Sequence, residues 1–190
     1  MTRKTNMVKN NFLAVTLLGW LAVLTSGYAK DSSEKVSVPV VPDAVKVSAS
    51  EELLFTAKAQ GVQIYKCQAK KDDPTQYEWV FVAPEADLFD AQGKKIGCHY
   101  AGPTWESSDG SQVVGEVKGH VPSNDKSAVP WLLLAAKKHA GNGVFSQVTS
   151  IQRLATVGGK APTGGCSQAS VGKELRVPYT AVYYFYVSKP

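Results

Sequence analysis

The sequence predicts an all-β protein, mainly an antiparallel sandwich or barrel, in which a short helix near residues 50–59 is an alternative reading of that stretch. Two observations carry the fold class. Segments rich in Val, Ile, Tyr and Phe alternate with period two and recur at about 8–15-residue spacing, and Gly, Pro and Asp turns separate them. That spacing is too short for helices to be interposed between strands.

The chain opens on a different pattern. Residues 1–11 are polar and basic, with Arg3, Lys4 and Lys9 and no acid. Phe12 to Leu24 is a thirteen-residue apolar run. It is shorter than the ~20 residues that span a bilayer and fits the core of a signal peptide, roughly 7–15 residues. Gly27-Tyr28-Ala29 supplies a small-residue site, so cleavage is predicted after Ala29. The first cysteine is Cys67, which excludes a lipid anchor at the new N-terminus, and no later apolar run approaches spanning length. The expected organisation is a signal peptide over 1–29, a flexible leader over 30–42 and a single β-rich domain over 43–190. The location is periplasmic or secreted, with no membrane span after cleavage.

The domain's elements follow in order. Ser50 with Glu51 and Glu52 reads as the capped start of a short helix, or as a strand turning at Gln60-Gly61. Val62 to Cys67 alternates as a half-buried strand. Tyr77 to Val82 is β-rich and ends at Pro84. Ala86 to Phe89 and Lys94 to Tyr100 flank the turn Asp90 to Gly93, a hairpin signal. Val113, Gly115, Val117, Gly119 and Val121 fall on one strand face. Trp131 to Ala136 is continuously apolar, as in a strand buried on both faces. Val144 to Leu154 alternates again, residues 156–167 form a Gly/Pro loop, and Val177 to Val187 is the strongest strand signal.

Charge and cysteine usage narrow the function classes. The chain has 21 Lys+Arg and 16 Asp+Glu, net +5, but without the first 29 residues the net is +2. That is no basic stripe, so no nucleic-acid partner is expected. With 44% hydrophobic and 19% charged residues the chain is not a disordered one. Three cysteines in an oxidising compartment permit one internal bridge and three pairings. Cys67, at a strand end, with Cys166, in a Gly-rich loop, is the preferred pair, which leaves Cys98 as the free thiol.

A set of segments resembles a family of exported proteins of unknown function, DUF3455. The residues are Gly61 to Cys67, Trp79 with Pro84 to Ala86, His99 to Glu106 with Asp109 to Ser111, Pro130 to Leu134, Ile151 to Arg153, Cys166, and Arg176 to Ala181 with Tyr184 to Tyr186. They span about residues 40–187. The resemblance implies no catalytic residues or activity. It supports pairing Cys67 with Cys166, because both fall within shared motifs, and marks Cys98 as a departure.

The densest chemical segment is His99 to Glu106, with Asp109 close behind. An imidazole and carboxylates are the groups that general acid–base chemistry uses, so His99, Glu106 and Asp109 are the candidate catalytic residues of a hydrolase or metal-dependent enzyme. A metal site is not expected, because His99, His120 and His139 show no paired-ligand spacing. There is no G-x-S-x-G elbow, P-loop, H-E-x-x-H or dinucleotide fingerprint, and no cofactor is expected. Tyrosines on the last strand suggest a binding surface instead. Tyr65, His99, Trp105, Tyr184 and Tyr186 are the candidate contacts for a small molecule, glycan or envelope component. A structural or protein-interaction module of the envelope is the third alternative, and the balance falls against an enzyme. A mass spectrum of the exported protein is expected to begin at Lys30 and to fall two hydrogens below the fully reduced mass.

Overall fold

The structure, a computed structural model, describes residues 1–2 and 38–190. The predicted signal peptide and most of the predicted leader lie outside the described residues. Eight strands follow among them: β1 (Glu51–Ala69), β2 (Tyr77–Phe89), β3 (Lys95–Tyr100), β4 (Thr104–Ser107), β5 (Gln112–Val121), β6 (Trp131–Ala140), β7 (Ser150–Gly158) and β8 (Glu174–Ser188). Each pairs antiparallel with the next, and β8 returns to pair with β1, so the sheet closes as an up-and-down barrel. The all-β expectation holds, and closure decides between its two architectures.

The expected helix near residues 50–59 is absent. Those residues are the first half of β1, whose Leu53 to Ala59 pair with Tyr186 to Ala181 of β8. The pairing partner, more than 120 residues away in sequence, outweighs the local capping signal. Nor does the chain turn at Gln60-Gly61. β1 runs straight through Gly61, where a side chain would collide with the backbone of Glu85 and Ala86 on β2, so glycine permits a close strand approach. β2 likewise continues past Pro84, which pairs with Gln63 close to a bulge between Ile64 and Tyr65, an irregular stretch of ladder of the kind that tolerates proline.

Two other strands differ from their sequence patterns. The apolar run Trp131–Ala136 opens β6 but is not buried on both faces. Leu134 points into the barrel, while most of its neighbours are only half-buried, because no second layer covers much of the wall. In β5 the alternation breaks at bulges between Val114 and Gly115 and between Val117 and Gly119, and Val117 emerges half-exposed. The hairpin at Asp90 to Gly93 forms as expected, with the Asp90 carboxylate accepting from the Gln92 and Lys94 amides.

The barrel interior divides into two ends. One is plugged by aromatic rings: Phe55 stacks on Phe185 at 4.7 Å, and Phe145 lies 4.9 Å from Phe185. Small residues Ala57, Ala59, Ala86 and Ala181 on the wall leave room for the large rings of Trp105 and Tyr183 above the plug. Phe145 sits in the β6–β7 loop, which is held from below by the β4–β5 turn. Asp109 accepts from the Val144 amide at 2.8 Å, and Ser111 Oγ accepts from the Phe145 amide at 3.1 Å. The opposite end is the polar one. Outward positions of β1 such as Lys58, Gln60, Lys66 and Gln68 are exposed, while its buried inward positions are apolar except for Gln63.

The 3-10 turn Asp43–Val45 packs against the outer wall. Val45 is buried, its carbonyl accepts from Gln152 Nε2, and Ala44 lies against Gly119 of β5. Cys67 is bonded to Cys166 across a sequence separation of 99, which leaves Cys98 free and half-buried. A cross-link closing a loop of this length restricts the unfolded chain strongly. Reducing it is expected to lower the unfolding free energy by about 4 kcal/mol, checked by urea titration of the protein with and without reductant.

Candidate functional site

The polar end of the barrel holds a cavity of 530 Å³, lined by residues from β1, β2, β3, β4, β5, β6, β7 and β8. Its floor is Trp105, Tyr183 and Leu134, which lie just above the aromatic plug. Its rim carries Phe81, Val82 and Val117, all half-exposed. Between them sit four polar side chains that the wall points inward: Gln63, His99, Arg153 and Tyr183.

His99 follows from the register of β3. It pairs with Trp105 on β4 and stacks on that ring at 4.4 Å, with Tyr183 edge-on at 5.1 Å. Its Nδ1 lies 2.8 Å from the Thr104 carbonyl, which can only accept, so Nδ1 carries the proton and Nε2 a lone pair. Burial pushes its pKa down to about 3, against the Thr104 bond and helped by the positive charge of Arg153. The ring is therefore a neutral acceptor at physiological pH.

Arg153 continues the inward face of Ile151 on β7 and pairs with Tyr183 on β8. Its Nε and Nη2 both donate to the Pro130 carbonyl, at 3.2 and 2.9 Å. No carboxylate among the described residues forms an ion pair with it, and no Asp or Glu lines the cavity. The Tyr183 hydroxyl, the Gln63 amide nitrogen and the Trp105 indole nitrogen are buried without a hydrogen-bond partner among the described residues. Gln63 and Tyr183 are each 1% exposed. Gln63 and Arg153 lie close to the Tyr179 and Tyr183 hydroxyls, and these hydroxyls lie close to each other, but the contacts fall short of hydrogen-bond geometry. Burial pushes the Tyr179 and Tyr183 hydroxyls up, so both stay neutral.

The structure thus brings together three sequence candidates, Tyr65, His99 and Trp105, at one cavity. Tyr65 contributes its ring, because its hydroxyl donates to the Gly159 carbonyl at 2.8 Å. Tyr184 and Tyr186 lie on the other side of the wall. Inward positions on β8 are Tyr179, Ala181, Tyr183 and Phe185, so the alternate tyrosines face out. Tyr186 is covered there by the segment around Val45 and donates to Gln152 Oε1 at 2.6 Å.

The acid–base set is not assembled. Glu106 follows the inward Trp105 and faces outward, where it accepts from the Tyr100 hydroxyl and from Gln112. Asp109 is a turn carboxylate. The Ser111 hydroxyl, 2.6 Å away, holds its pKa well below the usual range, with the Val144 and Ser111 amides adding to the effect. Cys98 and His99 are adjacent and so point to opposite sides of β3, and burial pushes the Cys98 thiol up. Among the described residues no three His, Cys, Asp or Glu side chains converge as metal ligands.

Gln63, Arg153 and Tyr183 are the polar cavity residues that sequence reasoning did not single out as a site, Arg153 being the charged one. The available signal was an arginine on the apolar face that Ile151 begins.

A family model described as a protein of unknown function (DUF3455) matches residues 48–187. The chain belongs to DUF3455. The match starts before β1 and ends one residue short of the end of β8, so the DUF3455 unit is the barrel itself, with all of the cavity-lining residues inside it. No curated protein and no solved structure was found to match the chain.

The buried, neutral His99 gives this DUF3455 barrel a pH signature. Its folded pKa lies below its unfolded value, so between about pH 6.5 and about 3 the unfolded chain takes up a proton that the folded one does not. Stability is expected to fall with pH across that window, with this residue contributing a slope of up to about 1.36 kcal/mol per pH unit. Denaturant titrations from pH 7 to pH 4 check it, and a His99→Asn variant is expected to lose that part of the slope.

Proposed function

We propose that the barrel is a binding protein that takes one small, mainly apolar molecule into its polar-ended cavity. The observation that carries this is the combination of an apolar lining with buried donors that none of the described residues satisfies: Tyr183 Oη, Gln63 Nε2 and Trp105 Nε1. Buried polar groups are nearly always paired, and each orphan costs about 1–3 kcal/mol. Such groups are maintained where a ligand completes them. An eight-stranded barrel is wide enough to fill its interior with side chains or to hold one small ligand. Here the plug does the first at one end and the cavity allows the second at the other. A volume of 530 Å³ lies in the range of small-molecule sites.

The apolar rim favours a small molecule over a glycan, whose many hydroxyls would need a lining richer in paired donors and acceptors. The separation of Glu106 and Asp109 from His99 speaks against acid–base catalysis by that set. Function outside the cytoplasm belongs to the same proposal. It is supported by the basic start, the thirteen-residue apolar run and the Gly27-Tyr28-Ala29 site in the sequence, and by a disulfide of a kind that persists in oxidising compartments.

The neutral fluorophore N-phenyl-1-naphthylamine is expected to bind the protein saturably, one per chain. Val117 is 49% exposed on the rim, so Val117→Trp is expected to weaken that binding about tenfold while shifting the melting temperature by no more than about 2 °C. Absence of saturable binding by this probe and by small apolar acids and alcohols alike, or binding indifferent to Val117→Trp, would refute the proposal.

A further inference from the structure

Given the cavity proposed above as a binding site, we infer that its ligand is an apolar carboxylic acid whose carboxylate is held by Arg153 and Tyr183. The reasoning starts from the cation. Arg153 is 8% exposed, and a buried charge is costly unless it is paired. Two of its N–H groups go to the Pro130 carbonyl, a neutral acceptor. Of the five a guanidinium carries, about three remain. The protein offers these no carboxylate among the described residues. The positive field is felt at Tyr65, His99, Tyr179 and Tyr183, all neutral groups, and no Asp or Glu among the described residues lines the cavity to offset it.

The orphaned groups agree with an anionic acceptor. A tryptophan N–H and an amide NH₂ can only donate, and a tyrosine hydroxyl donates readily. Tyr183 lies beside Arg153 on the neighbouring strand. A carboxylate presents two oxygens with about four acceptor positions and matches the planar guanidinium fork. A single cation among neutral donors suits a monoanion better than a phosphate dianion. The rest of the ligand meets Phe81, Val82, Leu132 and Val117 towards the mouth, which calls for hydrocarbon. The aliphatic and aromatic members of this class share that chemistry, and the rim accommodates either.

The test is calorimetry on the mature, disulfide-bonded protein at pH 7, with octanoate against 1-octanol and 2-naphthoate against 2-naphthalenemethanol. At least one acid is expected to bind about tenfold or more tightly than its alcohol, as the loss of a charge-paired, buried contact predicts. Which acid binds better distinguishes an aliphatic from an aromatic ligand. Tyr183→Phe and Arg153→Gln are each expected to bring that acid to within about twofold of the alcohol. Tyr183→Phe removes a hydroxyl that has no partner, so its melting temperature is expected to equal or exceed that of the parent. It therefore holds the test if Arg153→Gln does not fold. Equal affinity for acid and alcohol, a preference that survives Tyr183→Phe, or binding of the neutral fluorophore with none of the four compounds overturns the carboxylate assignment alone. Failure of the fluorophore and all four compounds overturns the binding function itself.

Discussion

Closure of the sheet by β1 and β8 is the constraint on which the other features rest. The two strands pair from Glu51 opposite Ser188 to Lys66 opposite Glu174, the longest ladder in the fold. This seam removes both sheet edges at once, and it sets which residues of each strand face inward. Ala57, Ala59 and Gln63 on β1 and Tyr179, Ala181, Tyr183 and Phe185 on β8 share the interior because of it. The bulges at Leu53/Phe55 and Ile64/Tyr65 accommodate the tilt and curvature that a small barrel demands. The Cys67–Cys166 bond ties the end of β1 to the loop that leads into β8, so the one covalent cross-link reinforces the same seam.

Inside the closed wall, packing and polarity are segregated. The Phe55, Phe145 and Phe185 rings fill one end with no polar atom among them. The other end accepts costs that a core built only for stability would avoid. Tyrosine at 183 buries a hydroxyl where phenylalanine would serve, and Arg153 buries a charge where leucine would pack. Local departures of this kind, concentrated in one place within an otherwise consistent fold, mark sites of function.

The segment that looked most chemical in the sequence is mostly architectural. Asp109 and Ser111 clamp the loop that carries Phe145, and Glu106 ties Tyr100 to Gln112 on the outer face. His99 and Trp105 were legible as a pair worth testing, but the sequence offered no means of telling which neighbours would join them. The carboxylates near them in sequence lie across the wall, whereas Arg153, some fifty residues on, lies within it. Adjacent strand residues point to opposite faces, so proximity in a strand sequence separates side chains as often as it joins them. The helix expected near residue 55 failed for a related reason. Its capping signal was local, and the partner that made it a strand was the last strand of the chain.

The all-β class, the hairpin at Asp90 to Gly93, the preferred Cys67–Cys166 pair and the family are legible without any folding, because each is written in short-range patterns or in motifs that survive without a partner. Closure of the sheet, the outward orientation of Tyr184 and Tyr186, and the convergence of Gln63, His99, Trp105, Arg153 and Tyr183 on one cavity belong to the assembled barrel. Those outcomes depend on strand register across the β1–β8 seam, and register is a relation between distant segments that no single stretch of sequence contains.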